Sequence, residues 1–380
     1  MRYLTAGESH GKALVGIMDG CPANLEITEE YINRQLYRRQ QGFGRGERMK
    51  IETDQAQILS GVRNKLTLGS PIALMIENKD HKNWQDIMSA GECDVTKRVV
   101  TTVRPAHADL AGALKYNQKD ARNILERASA RETAMRVALG AIARRFLEEL
   151  GVKIYSHTTM IGGVYSEYYP KDLKELEKAD LNPIRCLDEQ KSQLMIEKIL
   201  EAKENGDTLG GQVQVIASGM AWGYGSHTQY DRKLDARIMA DIASIQSVKS
   251  VGIGLGARYG ELTGLESHDE IGFRDNKFFR CTNNSGGIDG GISTGEDIVV
   301  NVTLKPIPTT MRGLKTVDLI TKEECVSQKE RSDVCAVPAA GVVCENVLAL
   351  TLMQVILETL GGDHMDEVKQ RWLQKQASVL

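Results

Sequence analysis

The sequence predicts a chain of mixed helices and strands, α+β in class, rather than a doubly wound parallel sheet. Helical periodicity is clear in four stretches, and strand-like runs lie between them. The two kinds mix without a regular βαβ beat. No G-x-G-x-x-G occurs; Gly42-Phe43-Gly44-Arg45-Gly46 has another spacing and follows a helix rather than a strand.

In chain order, Leu14 to Met18 reads as a strand. Thr28 is placed to cap a helix that runs to Gln40, with Ile32 and Leu36 on one face. Val99 to Val103 reads as a strand. Ser129 to Leu150 carries the strongest helical signal. Ser129-x-x-Glu132 has capping-box spacing, Met135, Leu139, Ile142, Phe146 and Leu150 form an apolar stripe, and Gly151 ends it. Val152 to Tyr155 follows as a strand. From Ser166 to Asp207 the chain is rich in Lys and Glu, with helical signals around Glu189 to Lys203, and reads as a charged surface excursion. Gln212 to Ala217, Val251 to Leu255 and Ile298 to Leu304 are strand-like. Between the first two, Asp231 to Ser247 places Leu234, Ile238, Ile242 and Ile245 on one side of a helix. Cys344 to Leu360 is apolar almost all round, as expected of a helix buried against a sheet. No linker interrupts residues 1–380, so one domain is expected. Leu150-Gly151 and Leu360-Gly361 end two long apolar helices alike, a faint sign of a duplicated half.

Composition narrows the function. Hydrophobic residues make up 41% and charged residues 26%, which excludes general disorder. A net charge of −3 gives no global basic field for nucleic acid, and aromatic residues total only 5%, few for base stacking. The apolar stretch near Val347 to Leu357 is about half of the ~20 residues that a membrane span needs. The first residues lack an apolar signal core, so a cytoplasmic protein is expected. Seven widely spaced cysteines without C-x-x-C argue against a disulfide framework or a zinc site, and no metal is expected.

Six segments fit no core pattern. Gly7-Glu8-Ser9-His10-Gly11 sets a histidine on backbone that can approach a ligand closely. Arg34, Arg38, Arg39, Arg45 and Arg48 gather arginines around a glycine-rich loop, suited to phosphate or carboxylate. Arg104-Pro105-Ala106-His107-Ala108-Asp109 adds a second arginine and histidine. Arg127-Ala128-Ser129-Ala130-Arg131-Glu132 opens the longest helix with free amides and two arginines. Lys305-Pro306-Ile307-Pro308-Thr309-Thr310 is a rigid turn, and Arg331-Ser332-Asp333 precedes the last apolar helix.

Together these segments resemble the chorismate synthase family over nearly the whole chain. Gly7 to Gly11 with Val15 to Pro22 is similar to the family's first signature, Glu126 to Ala134 to its second, and Arg331 to Asn346 to its third. Ala128 stands where many members carry serine. The resemblance implies conversion of 5-enolpyruvylshikimate 3-phosphate to chorismate and phosphate, a 1,4-anti elimination that needs reduced FMN without net redox change. It implies a β-α-β sandwich, two antiparallel sheets packed together with helices outside, and a homotetramer. It matches FMN contacts to Arg127, Ala128, Ser129, Gln246, Ser247, Gly290, Lys305, Pro306, Ile307, Pro308, Thr309 and Arg331. It matches a pyridine-nucleotide phosphate to Arg39 and Arg45, acid–base roles to His10 and His107, and a carboxylate near the flavin to Asp333. Arg48, Arg104 and Arg131 are the candidates for the substrate's phosphate and carboxylates. NADPH, or a separate flavin reductase, stands as the source of reduced flavin. The rivals are an FMN-dependent oxidoreductase and an RNA-binding protein using the Arg34 to Lys50 patch; neither a nucleic-acid nor a membrane partner is expected.

Overall fold

The structure is a computed structural model and describes residues 1–46, 53–170, 172–275, 277–327 and 333–377. The amino-terminal half forms a four-stranded antiparallel sheet from β1 (Arg2–Ala6), β2 (Ala13–Asp19), β3 (Ala56–Ser60) and β4 (Ile72–Glu77), in the order β1-β2-β4-β3. Alternation sets its faces: Leu14, Met18, Ile72, Leu74 and Ile76 point inward, while Leu4, Ile17 and Leu59 are exposed on the other face. Helix α1 (Glu29–Gln40) begins where expected, with Thr28 accepting from the Tyr31 amide at 3.2 Å. Helices α2 (Asp109–Lys115) and α3 (Arg122–Ala128) are short. Helix α4 (Thr133–Glu149) is the long stripe seen in the sequence.

A second antiparallel sheet has the order β8-β9-β7-β5-β6, from β5 (Lys153–Ile161), β6 (Val164–Tyr165), β7 (Gly211–Ser218), β8 (Val248–Ile253) and β9 (Ile298–Leu304). Helix α5 (Glu189–Glu204) precedes β7, and α6 (Leu234–Ala243) precedes β8. The hairpin β10 (Lys315–Val317) and β11 (Glu324–Val326) leads to α7 (Val337–Leu360) and α8 (Met365–Ala377).

Helix α4 packs on β2 and β4, α7 packs on β5 and β7, and the two helices pack on each other. Two glycines make this close stacking possible. A Cβ on Gly16 would lie 2.6 Å from Met135 Sδ, and one on Gly140 would lie 2.5 Å from Asn346. The layers therefore run sheet, helix, helix, sheet. The arrangement of helices outside two packed sheets is corrected here, and α7 supplies the reason. Val337 to Met353 is buried without interruption, so the helix needs cover on every side, which only an interior place gives. By length and composition α7 could cross a membrane, but 89% of its most apolar window is buried inside the protein, as in a core helix.

Other boundaries differ for local reasons. Val99 to Val103 forms no strand; Thr102 makes one isolated bridge to Asp318, and Val100 and Val103 pack in a satellite cluster with Ala113, Ala121 and Leu319. The capping box is not closed. Ser129 caps a 3₁₀ turn at the Arg131 amide, while Glu132 binds Thr5, Arg136 and Gln246 instead. Helix α7 starts at Val337 because Pro338 occupies its first turn, the position that tolerates proline. The charged excursion is packed: α5 buries Met195 and Ile199 in the main core, and Leu176 joins Tyr155 and Ile216 in a smaller cluster.

Candidate active site

The segments picked out by sequence meet along a closed path of contacts. It begins at His10, which α3 holds. The Ser9 amide donates to the Glu126 carbonyl, and the His10 amide donates to Glu126 Oε2 at 2.8 Å. His10 Nδ1 lies 2.9 Å from Glu126 Oε1, and the ring stacks on Trp84 at 4.0 Å. Arg98 and Arg122 lie over that tryptophan. Glu126 is buried; burial opposes its ionisation, but its bonds from His10 and the charge of Arg122 hold it below the usual carboxylate range.

Asn78 links the His10 loop to the arginines. Its amide donates to the Glu8 and Gly11 carbonyls and accepts from Arg131 Nε at 3.0 Å. Arg131 and Arg39 share the buried Asp54 carboxylate, at 2.5 and 3.3 Å. Arg39 also donates to Thr133 and to the Ala130 carbonyl, so its guanidinium is turned inward. Burial pulls Arg39 down to about 10; Asp54 opposes this, and Arg131 and Arg45 press the same way as burial. Two buried guanidiniums meet on this carboxylate, a cationic place suited to an anionic ligand. Arg45 pairs with Asp333 at 3.2 Å, and Asp333 also accepts from the Gly46 amide at 2.6 Å. Arg38, by contrast, faces Asp180 and the buried Glu345.

From Asp333 the path continues through Val334, which bonds Gly44 and Leu209, to Thr208 and the Ile307 carbonyl. The turn Lys305 to Thr309 meets the second histidine. Arg104 donates to Thr309 Oγ1 at 3.2 Å, and Lys305 donates to the Ala106 carbonyl. His107 Nδ1 lies 2.5 Å from Asp109 Oδ1, and Arg104 Nε lies 2.8 Å from Asp109 Oδ2. Asp109 is fully buried; His107 and Arg104 overcome that burial and hold it far below the usual range. Arg104 and His107 also line a cavity of about 940 Å³ bounded by α2 and the β10–β11 hairpin.

The path closes through the amino end of β8. The Lys305 amide donates to the Ser247 carbonyl at 2.9 Å, and Gln246 Nε2 donates to Glu132 Oε2 at 3.2 Å. Glu132 accepts from Thr5, and Arg127 donates to the Thr5 and Gly7 carbonyls, back beside His10. Gln246 Oε1 is a buried acceptor with no partner among the described residues, which suits a ligand N–H. Ser129 and Ala128 lie at the α3 end of this path.

Gly290 stands apart. It lies in the turn between Ile288–Asp289 and Ile292–Thr294, a turn tied to α6 through the Gly291 carbonyl. Arg48 and Arg331 lie outside the described residues. Sequence reasoning assigned no role to Glu126, Asp54, Asn78 or Trp84. Only Glu126 lay inside a quoted motif, and its partner His10 is 116 residues away.

The family model described as chorismate synthase matches residues 1–357. The chain is 51% identical over 374 residues to a chorismate synthase of Carboxydothermus hydrogenoformans, covering 98% of this chain and 97% of the relative. It is 52% identical over 376 residues to one of a Geobacillus species, covering 97% of each. A crystal structure of a chorismate synthase superposes with a TM-score of 0.80 at 43% identity, covering 100% of this chain and 98% of that one.

Proposed function

The chain belongs to the chorismate synthase family, lyases of the chorismate-forming step of the shikimate pathway, and from that premise we propose how its residues divide the work. The substrate, 5-enolpyruvylshikimate 3-phosphate, carries a phosphate and two carboxylates. The buried arginines gathered at Asp54 support binding of such an anion, with Arg131, Arg48 and Arg104 as its ligands. Arg39 and Arg45 remain our candidates for the phosphate of NADPH, with Arg39 acting from behind because its guanidinium is turned inward onto Asp54, Thr133 and the Ala130 carbonyl. Arg104 spends much of its guanidinium on Asp109 and Thr309, so it also shapes the His107 loop.

Reduced FMN fits the arc from Arg127 to Ser129 through Gln246 and Ser247 to Lys305–Thr309; Gly290, which lies off this arc, and Arg331 are candidates by resemblance alone. The unpartnered Gln246 oxygen and the basic Lys305 support that placement. When bound, reduced flavin lends electron density to the substrate as phosphate leaves and recovers it afterwards. His10 and His107 hold or move protons, each from the ring nitrogen that its carboxylate leaves free. Asp333, fixed by Arg45 and the Gly46 amide, stands as a carboxylate beside the flavin. Assembly as a homotetramer is supported by the exposed apolar residues Leu4, Ile17 and Leu59 on the outer face of the first sheet. We place the enzyme in the cytoplasm, with the flavin reduced by NADPH or by a separate reductase.

One observation carries this reading: two histidines, each on a buried carboxylate, lie on one path with a buried cluster of arginines. The test is phosphate release with chemically reduced FMN under strict anaerobiosis. One flavin is expected to support many turnovers. Oxidation of one flavin per product formed overturns the lyase chemistry in favour of an FMN-dependent oxidoreductase.

A further inference from the structure

We propose that Glu126 is the positioning residue for His10, fixing the ring as the Nδ1–H tautomer so that Nε2 is the nitrogen that exchanges protons. The inference rests on the proton-transfer role given to His10 above.

Three observations carry it. First, the Glu126 carboxylate meets the histidine twice, through the backbone amide at 2.8 Å and through Nδ1 at 2.9 and 3.0 Å. A carboxylate in this pairing is acceptor-only, so the shared proton sits on Nδ1 when the ring is neutral. Second, the ring cannot easily swing away. It stacks on Trp84, and both flanks of its loop are tied by Asn78 to the Glu8 and Gly11 carbonyls. Third, Nε2 makes no hydrogen bond among the described residues, so it is left for a ligand.

Arg122 supplies the remaining charge balance. It donates to Glu126 Oε1 at 3.1 Å and lies over Trp84. Glu126 therefore accepts from three donors in a buried place. A glutamine there has one acceptor oxygen and one amide NH₂. It cannot serve all three, and its NH₂ either meets the His10 amide and Arg122 as a second donor or turns the ring to the other tautomer. His107 repeats the arrangement on Asp109. That carboxylate also carries the Arg104 amide and guanidinium, so its removal unmakes a whole loop. Glu126 is the cleaner site to test.

The experiment is a double-mutant cycle with reduced FMN and saturating substrate. Glu126→Gln is expected to lower kcat by about 10²-fold, with KM and flavin affinity within about twofold. In a His10→Ala background the same change should alter kcat by less than about twofold, because a residue acting through His10 has nothing left to act on. Additive losses in the double mutant, or a normal kcat in Glu126→Gln, overturn the inference. A second measurement does not depend on Glu126→Gln folding. Solid-state ¹⁵N spectra of histidine-labelled protein, minus those of His10→Gln, report the His10 tautomer at a pH where the ring is neutral. The Nδ1–H form is expected, and the Nε2–H form overturns the inference. His10→Ala alone with near-normal kcat, beside an Nδ1–H ring, instead removes the catalytic role of His10.

Discussion

At His107 the local chain supplies both orientation and anchorage. Asp109, two residues on, receives the imidazole, while Arg104 closes the other side. These residues have separable duties. His107 is partly exposed and packs in no apolar cluster, so His107→Ala should keep the melting temperature and lose at least about tenfold in kcat. Asp109 is fully buried, and its removal strands Arg104. Asp109→Ala should therefore cost about 3–5 kcal/mol in urea unfolding, as for a broken buried pair. Equal stability in both variants would assign Asp109 to the chemistry alone. The motif holding these residues was legible in sequence because all three lie within six positions. The partners of His10, Arg39 and Arg131 were not, because Glu126, Asp54 and Asn78 reach them only through the fold.

Among elements, the long helices were readable where one face differed from the other. Helices α1, α4 and α6 each showed their buried stripe. Helix α7 has no polar face, so its burial was readable, but its periodicity carried no orientation and its place between the two sheets went unseen. Strands β1 and β3 are short and largely exposed, and α8 is mostly polar, so none stood out from loop. The α4–α7 contact gives a test of this stacking. Gly140→Ala improves intrinsic helix propensity by about 1 kcal/mol. Yet its Cβ would meet the Asn346 Cβ and backbone at 2.5 Å. Close packing should win, with a net loss of about 1–3 kcal/mol in urea unfolding. A stabilised variant would show that the helices can part without cost.

For the molecule as a whole, the amino-terminal and carboxy-terminal parts are joined by buried charge as well as by apolar packing. Glu345 on α7 meets Arg38 of α1, Arg144 of α4 and Arg185 of the excursion, and accepts from Ser156 of β5. Burial alone would raise its pKa, but the three arginines hold it at about 2. A carboxylate so depressed adds stability above its ordinary value of 4.5, and that stability drains away as pH falls toward about 2. His157 on β5 acts at milder acidity. Burial draws it down to about 4 from 6.5, against a bond to Gln214 and with Arg185 nearby. Between those values the unfolded chain binds a proton that the folded chain refuses, so stability falls with pH by about 3 kcal/mol from this group. Urea unfolding from about pH 7 to about pH 4 should show that slope. His157→Gln, which can still bond Gln214 but does not titrate, should flatten it while leaving the steeper loss below. Parallel pH profiles for the two proteins would mean that His157 is reached by water in the folded state and that the acid limb belongs to the Glu345 cluster alone.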